Sequence, residues 1–219
     1  MAPLKIIVTG KSSITHPPER GTLTFSVKGN GPEQEKVAKE VATSSTNLQN
    51  WMTSTFNSID PESPLTNFSS TSIRTWTKST DRDDLPVSNP HHASISFKAV
   101  FRDFPKLNHA VEELLVYPKV EIDGLDWTLT NETGRRLASD ARKLALRDAI
   151  QQAEDYSEVI GRDVSVAEIA DHGMSPYGSC NRMVAASYGD QPGEDPVPLD
   201  LTPQGIDVES NVNVTFEAE

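Results

Sequence analysis

Cysteine is almost missing from this chain: Cys180 stands alone in 219 residues. No internal disulfide can form, a closed all-cysteine zinc site is excluded, and a reducing compartment fits. Cations are scarce as well. Twenty Lys and Arg against 32 Asp and Glu leave a formal charge of −12, and no basic run exceeds the pair Arg135–Arg136. That balance argues against any mode that neutralises phosphates, so neither nucleic acid nor an anionic membrane is expected as a partner. Long apolar runs are absent too: no window approaches the roughly 18 residues of a membrane span. The opening MAPLKIIVTG has no basic segment, extended apolar core or cleavage site, and its Ile6-Ile7-Val8 reads as a strand, so a cytoplasmic location is expected.

Chemical signatures are equally thin. There is no GxSxG, P-loop or GxGxxG, and Gly29-Asn30-Gly31 reads better as a tight turn than as a phosphate cradle. The histidines, His16, His91, His92, His109 and His172, show no helical zinc-ligand spacing. No metal and no cofactor are therefore expected. Cys180 could serve as a nucleophile only with a histidine such as His172 close in space; a bystander thiol is the simpler reading.

What the chain does have is clean alternation. Leu23, Phe25 and Val27 oppose Thr22, Thr24 and Ser26; Ala93, Ile95, Phe97, Ala99 and Phe101 oppose His92, Ser94, Ser96 and Lys98. Leu125, Trp127 and Leu129 alternate with Asp126, Thr128 and Thr130, and Ile206, Val208, Val212, Val214 and Phe216 share one face. One apolar face per strand predicts an antiparallel or mixed sheet covered on one side.

Helices fall between the strands. One opens near Pro32 with the stripe Val37, Val41, Leu48, Met52 and Phe56; a shorter one follows Asp103, an N-cap residue type, with Leu107, Ala110, Val111 and Leu114. The longest spans Asn131 to Ile160 and stops at Gly161, suited to a left-handed cap. It carries Ala138, Ala141, Ala145, Ala149 and Ala153 in a narrow stripe, with Leu137 and Leu144 on one flank and Leu146 and Ile150 on the other. A stripe of methyl groups lets a helix axis lie close to a facing sheet, and the flanking residues are expected to seal its edges. The expected order is ββαββαβαββ, an α+β fold in one domain over 1–219. A polar hairpin connection is placed at 79–91 and a long loop at 173–205.

Four segments carry a family resemblance: IIVTGKSSITHPPERGTLTFSV, ASISFKAVFRDFPKLNHAVEELL, GLDWTLTNETGRRLASDARKLALRDAIQQAEDYSEVIGRDVSVAEI and PLDLTPQGIDVESNVNVTFEAE. In this order along the chain they make it resemble the SIMPL-domain family. That resemblance implies long helices on a curved antiparallel sheet and ring-like homo-oligomers, as in its bacterial secreted members. One eukaryotic member is similar to a kinase-binding adaptor. The family implies no agreed catalytic residues.

One face merits chemical scrutiny. Arg74, Trp76 and Lys78 alternate in FSSTSIRTWTKS, and pairing with HASISFKAV would set His92, Ser94, Ser96 and Lys98 beside them. A basic and aromatic patch on an acidic protein suits a subunit interface or a planar anion; a merely solvated face is the plainer alternative. For a ligand, Arg74, Trp76, Trp127, Tyr177 and Arg182 are the expected contacts, and Arg74, His92 and Asp148 the catalytic candidates. The leading expectation is a self-associating scaffold or protein-binding module, partnered by its own copies. The alternative is a cofactor-independent enzyme of cyclase or isomerase type, or a small-metabolite binder, with its pocket beneath the 173–205 loop.

Overall fold

The computed structural model describes residues 4–56, 63–78, 80, 88–171 and 201–218. The elements run β1 (Leu4–His16), β2 (Arg20–Gly31), α1 (Gln34–Phe56), β3 (Leu65–Ser70), β4 (Arg74–Thr77), β5 (His91–Phe101), α2 (Phe104–Val116), β6 (Val120–Thr128), α3 (Asn131–Ile160), β7 (Val164–Asp171) and β8 (Ile206–Ala218). The fold is α+β, as the alternation requires. The strand expected over Phe68–Ser79 is divided into β3 and β4, because at the interruption Thr71 bonds Ser96 through both its amide and its hydroxyl. The expected single sheet is replaced by two, order β1-β8-β7 and order β3-β5-β2-β6 with β4 also on β5. Periodicity fixes which face of a strand is buried but not which strand it pairs with. The long loop at 173–205 and the hairpin at 79–91 fall largely outside the described residues.

Contacts divide the elements between two compact units. In the first, β1 and β8 pair antiparallel from Leu4↔Ala218 to His16↔Ile206, and β7 pairs with the other edge of β8. Ala145, Ala149 and Ala153 of α3 are fully buried against Val8, Val212, Val214 and Phe216. Gly10 lets the helix come this close: a Cβ there would lie 1.9 Å from the Ala145 carbonyl oxygen and 2.8 Å from the Ala149 nitrogen. The helix is pinned along β1 by polar bonds. The Lys11 amide donates to Asp148 (2.8 Å), Gln152 donates to the Thr9 carbonyl (3.3 Å) and Ser12 to the Ala141 carbonyl (2.7 Å). The flanks depart from expectation: Leu137 joins the buried line, Leu144 and Ile150 are exposed, and Ala138 is only half-buried. The helix packs along β1 and β8 and barely reaches β7, so Ile150, on the side away from β1, has nothing to seal against.

Both ends of α3 follow from local chemistry. Thr130 adopts extended backbone and its side chain accepts the Thr133 amide, while Gly161 closes the helix at φ 66°. Glu19 strengthens the start by accepting from the Thr130 amide (2.7 Å), the Thr130 hydroxyl (2.6 Å) and the Thr133 hydroxyl (2.8 Å).

In the second unit, β2 and β5 pair from Gly21↔Phe101 to Gly31↔His91. Phe97 lies stacked between Phe25 (5.2 Å) and Phe68 (5.7 Å), and the α1 stripe Val37, Val41, Leu48, Met52 and Phe56 is buried as its spacing predicts. Helix α2 starts at Asp103, whose carboxylate accepts the Lys106 amide at 3.0 Å. After α2, Tyr117–Val120 has the form of a type II turn: Val120 donates to the Tyr117 carbonyl at 3.4 Å, Pro118 sits second and Lys119 third at φ 66°. That third position ordinarily takes glycine, and a residue with a Cβ costs about 1 kcal/mol there. Lys119 is the one non-glycine with positive φ among the described residues. No described helix is long and apolar enough to cross a membrane.

Candidate functional site

The face suspected from sequence is partly assembled. β4 pairs with β5 in the register Arg74↔Ser94 and Trp76↔His92, so directly opposed side chains share a face. The Trp76 and His92 rings stack at 5.3 Å and 7° from parallel. On the other edge of β5, Thr24 opposes Lys98, Ser26 opposes Ser96 and Lys28 opposes Ser94. Trp76 keeps 47% of its surface exposed and Arg74 is exposed two residues along β4, while Lys98 is exposed farther along β5, opposite Ser69 of β3. The Nε2 atom of His92 is buried with no hydrogen-bond partner. A buried polar atom left without a partner costs about 1–3 kcal/mol. This corner can therefore offer one ring face and one guanidinium fork to a planar or anionic group, with the unpartnered imidazole nitrogen buried beside them.

The basic character is weaker than the sequence implies. Lys28 is tied to Glu121 (2.5 Å) and Asp123 (3.8 Å), and Asp123 also accepts from Ser26 at 3.1 Å. These acids arrive on β6, whose place next to β2 could not be read from the chain.

The remaining expected site residues are dispersed. Trp127 lies on β6 rather than beside Trp76, is 2% exposed, and packs edge-on against Phe104 at 4.8 Å and 74°. Asp148 belongs to the other unit, where it takes the Lys11 amide and the Gln152 amide (2.9 Å) and so serves the seam between α3 and β1. Tyr177 and Arg182 lie outside the described residues, as do Cys180 and His172. Among the described residues no group of three or more His, Cys, Asp or Glu is placed to hold a metal ion.

Two groups of consequence escaped sequence reading. Glu19 is the first. Burial alone would raise its carboxyl, but the Thr130 side-chain and backbone bonds and the Thr133 hydroxyl outweigh it; with attraction from His16 they bring it down to about 2. Only its approach to Thr130, more than 100 residues away in the chain, reveals this role. The second is Lys119, whose hydrogen bond and charge hold Glu40 of α1 below the usual carboxylate range. A tyrosine-proline turn before a strand was the available signal, and it says nothing of α1.

The first unit ends differently. β7 is an edge strand: it pairs with β8 on one side, and its register shifts between Val166 and Glu168. That bulge brings Val166 and Ile169, three residues apart, onto the same helix-side face, opposite Phe216 and Val214. Both stay about half exposed, at 47% and 52%. Ile150 projects about 200° around α3 from Asp148, away from β1, and is also exposed. The result is an apolar shelf beside an unpaired strand edge among the described residues. On β1, the opposite edge of the sheet, Ile7 is 72% exposed on the far face.

No curated protein matches the chain. The family model described as SIMPL, a protein of unknown function (DUF541), matches residues 6–216, spanning β1 through β8. With nearly its whole length matched, the chain belongs to the SIMPL family.

Proposed function

We propose that the chain is a self-associating scaffold whose β7 edge receives another copy of the protein, in a reducing compartment such as the cytosol. The observation that carries this reading is the shelf of Val166, Ile169 and Ile150 beside the outer edge of β7. An open edge presents a row of amide donors and carbonyl acceptors with which a further strand can pair. Covering the shelf by a second chain removes apolar surface from water and satisfies the edge together. Hydrogen exchange tests it: amides of β7 should gain protection as protein concentration rises. Protection that does not change with concentration refutes β7 as the meeting edge.

A second reading, a binding site for a small planar anion, is favoured by the unpartnered Nε2 of His92 beneath the Trp76 ring. Arg74 would orient a carboxylate or enolate. A ligand there should change tryptophan fluorescence, and Arg74→Ala should weaken the response at least tenfold. Unchanged fluorescence across a broad metabolite panel removes this reading and leaves the scaffold.

A further inference from the structure

A concavity of about 430 Å³ lies between α1 and the turn that precedes β6, lined by Lys36, Lys39, Glu40, Thr43, Ser44 and Lys119. Three lysines and one carboxylate line it, on a chain whose net charge is −12; Lys36 is already paired with Glu33 at 2.7 Å, which leaves Lys39 and Lys119 to share Glu40. Two of these lysines sit where the local backbone does not favour them. Lys36 occupies the first turn of α1, where the helix dipole disfavours cations. Lys119 occupies the left-handed position of a turn that glycine would fill without strain.

The ion pair of Lys119 with Glu40 at 2.5 Å does not account for this arrangement. Both side chains are largely exposed, at 42% and 61%, and exposed pairs contribute little once water and salt screen them. Lys39 Nζ and the Ser44 hydroxyl have no hydrogen-bond partner among the described residues, while Thr43 donates to the Lys39 carbonyl at 2.8 Å. The second unit thus holds a strained cation, a free cation and a free hydroxyl around one hollow.

We propose that this hollow binds the phosphate group of a small phosphorylated molecule. A phosphate monoester carries close to two negative charges and three acceptor oxygens, enough to engage Lys39, Lys119 and Ser44 together and to compete with Glu40 for Lys119. The volume exceeds that of a phosphate and leaves room for the organic part of an ester.

The test is calorimetric titration of the full chain with inorganic phosphate and with glycerol 3-phosphate. Both should bind, and binding should weaken as salt rises. Lys39→Gln and Lys119→Gly should each weaken binding about tenfold, the loss expected of one charge-assisted contact. Lys119→Gly should also melt no lower than the parent, because glycine relieves the turn. That second readout separates lost recognition from lost folding. Absence of binding by both probes at millimolar concentration overturns the proposal, as does binding that both variants leave unchanged.

Discussion

Gly10→Ala is the sharpest probe of how α3 meets its sheet. The added methyl would sit 1.9 Å from the Ala145 carbonyl oxygen and 2.8 Å from both the nitrogen and the Cβ of Ala149. Two of these three neighbours are helix backbone, so no side chain can swing aside. Restoring even a 3.0 Å approach requires a separation of about 1.1 Å, taken by lifting α3 or bending β1. Such a lift stretches the bonds from Lys11 to Asp148, Gln152 to Thr9 and Ser12 to Ala141. It also opens the contact of Ala145, Ala149 and Ala153 with Val212, Val214 and Phe216. Overpacking of a tight core costs about 1–3 kcal/mol, and each weakened hydrogen bond adds roughly 0.5–1.5 kcal/mol. Partial relaxation at both places puts the expected loss at about 3–5 kcal/mol in urea unfolding. Gly134→Ala is the matched control on the same helix. Nothing lies within 4 Å of its added methyl, so it should stabilise by about 0.5–1 kcal/mol through helix propensity. A loss below about 1 kcal/mol for Gly10→Ala would refute the close approach of α3 to β1.

The start of α3 gives a pH prediction. The Glu19 carboxyl is held near 2 against an ordinary 4.5, so its contribution is complete above about pH 4.5 and fades as pH falls toward 2. Glu19→Gln should cost about 1–2 kcal/mol at neutral pH after screening by solvent, and should flatten the stability profile over that acid window. A parallel profile in parent and variant would show that the carboxylate does not cap the helix. Phe97→Ala empties the middle of the Phe25–Phe97–Phe68 stack and should cost about 3–5 kcal/mol in the same unfolding assay, with a value under about 1.5 kcal/mol contradicting the core.

Local chemistry was legible and pairing was not. The end of α3 follows from Gly161 and its buried line from the alanine spacing, and the cap at Asp103 from one residue type in one place. The buried stripe of α1 could be written down residue by residue, since it depends only on 3.6-residue periodicity. Division into two sheets, the interruption between β3 and β4 and the bulge in β7 depend on partners far along the chain. The tryptophans illustrate the limit. Trp76 and Trp127 both stand in alternating strands, yet one is half exposed on an outer strand and the other is core, because alternation reports face and not depth. For the same reason Ile150 could not be told from a sealing residue: whether its flank is covered depends on β7, which α3 barely reaches. The candidate site was legible as the Arg74, Trp76 and His92 face, while its counter-charges Glu121 and Asp123 came from a strand whose neighbour only the fold defines.

Self-association through β7 is the central functional claim, and sedimentation velocity of the parent and an Ile169→Lys variant at micromolar concentration tests it most directly. Ile169 is half exposed, so lysine there should leave the melting temperature nearly unchanged while placing a charge on the shelf. The parent should sediment as a dimer or larger species, and the variant should shift toward monomer. A parent that sediments as a clean monomer, or a variant whose assembly equals the parent's, would contradict the account.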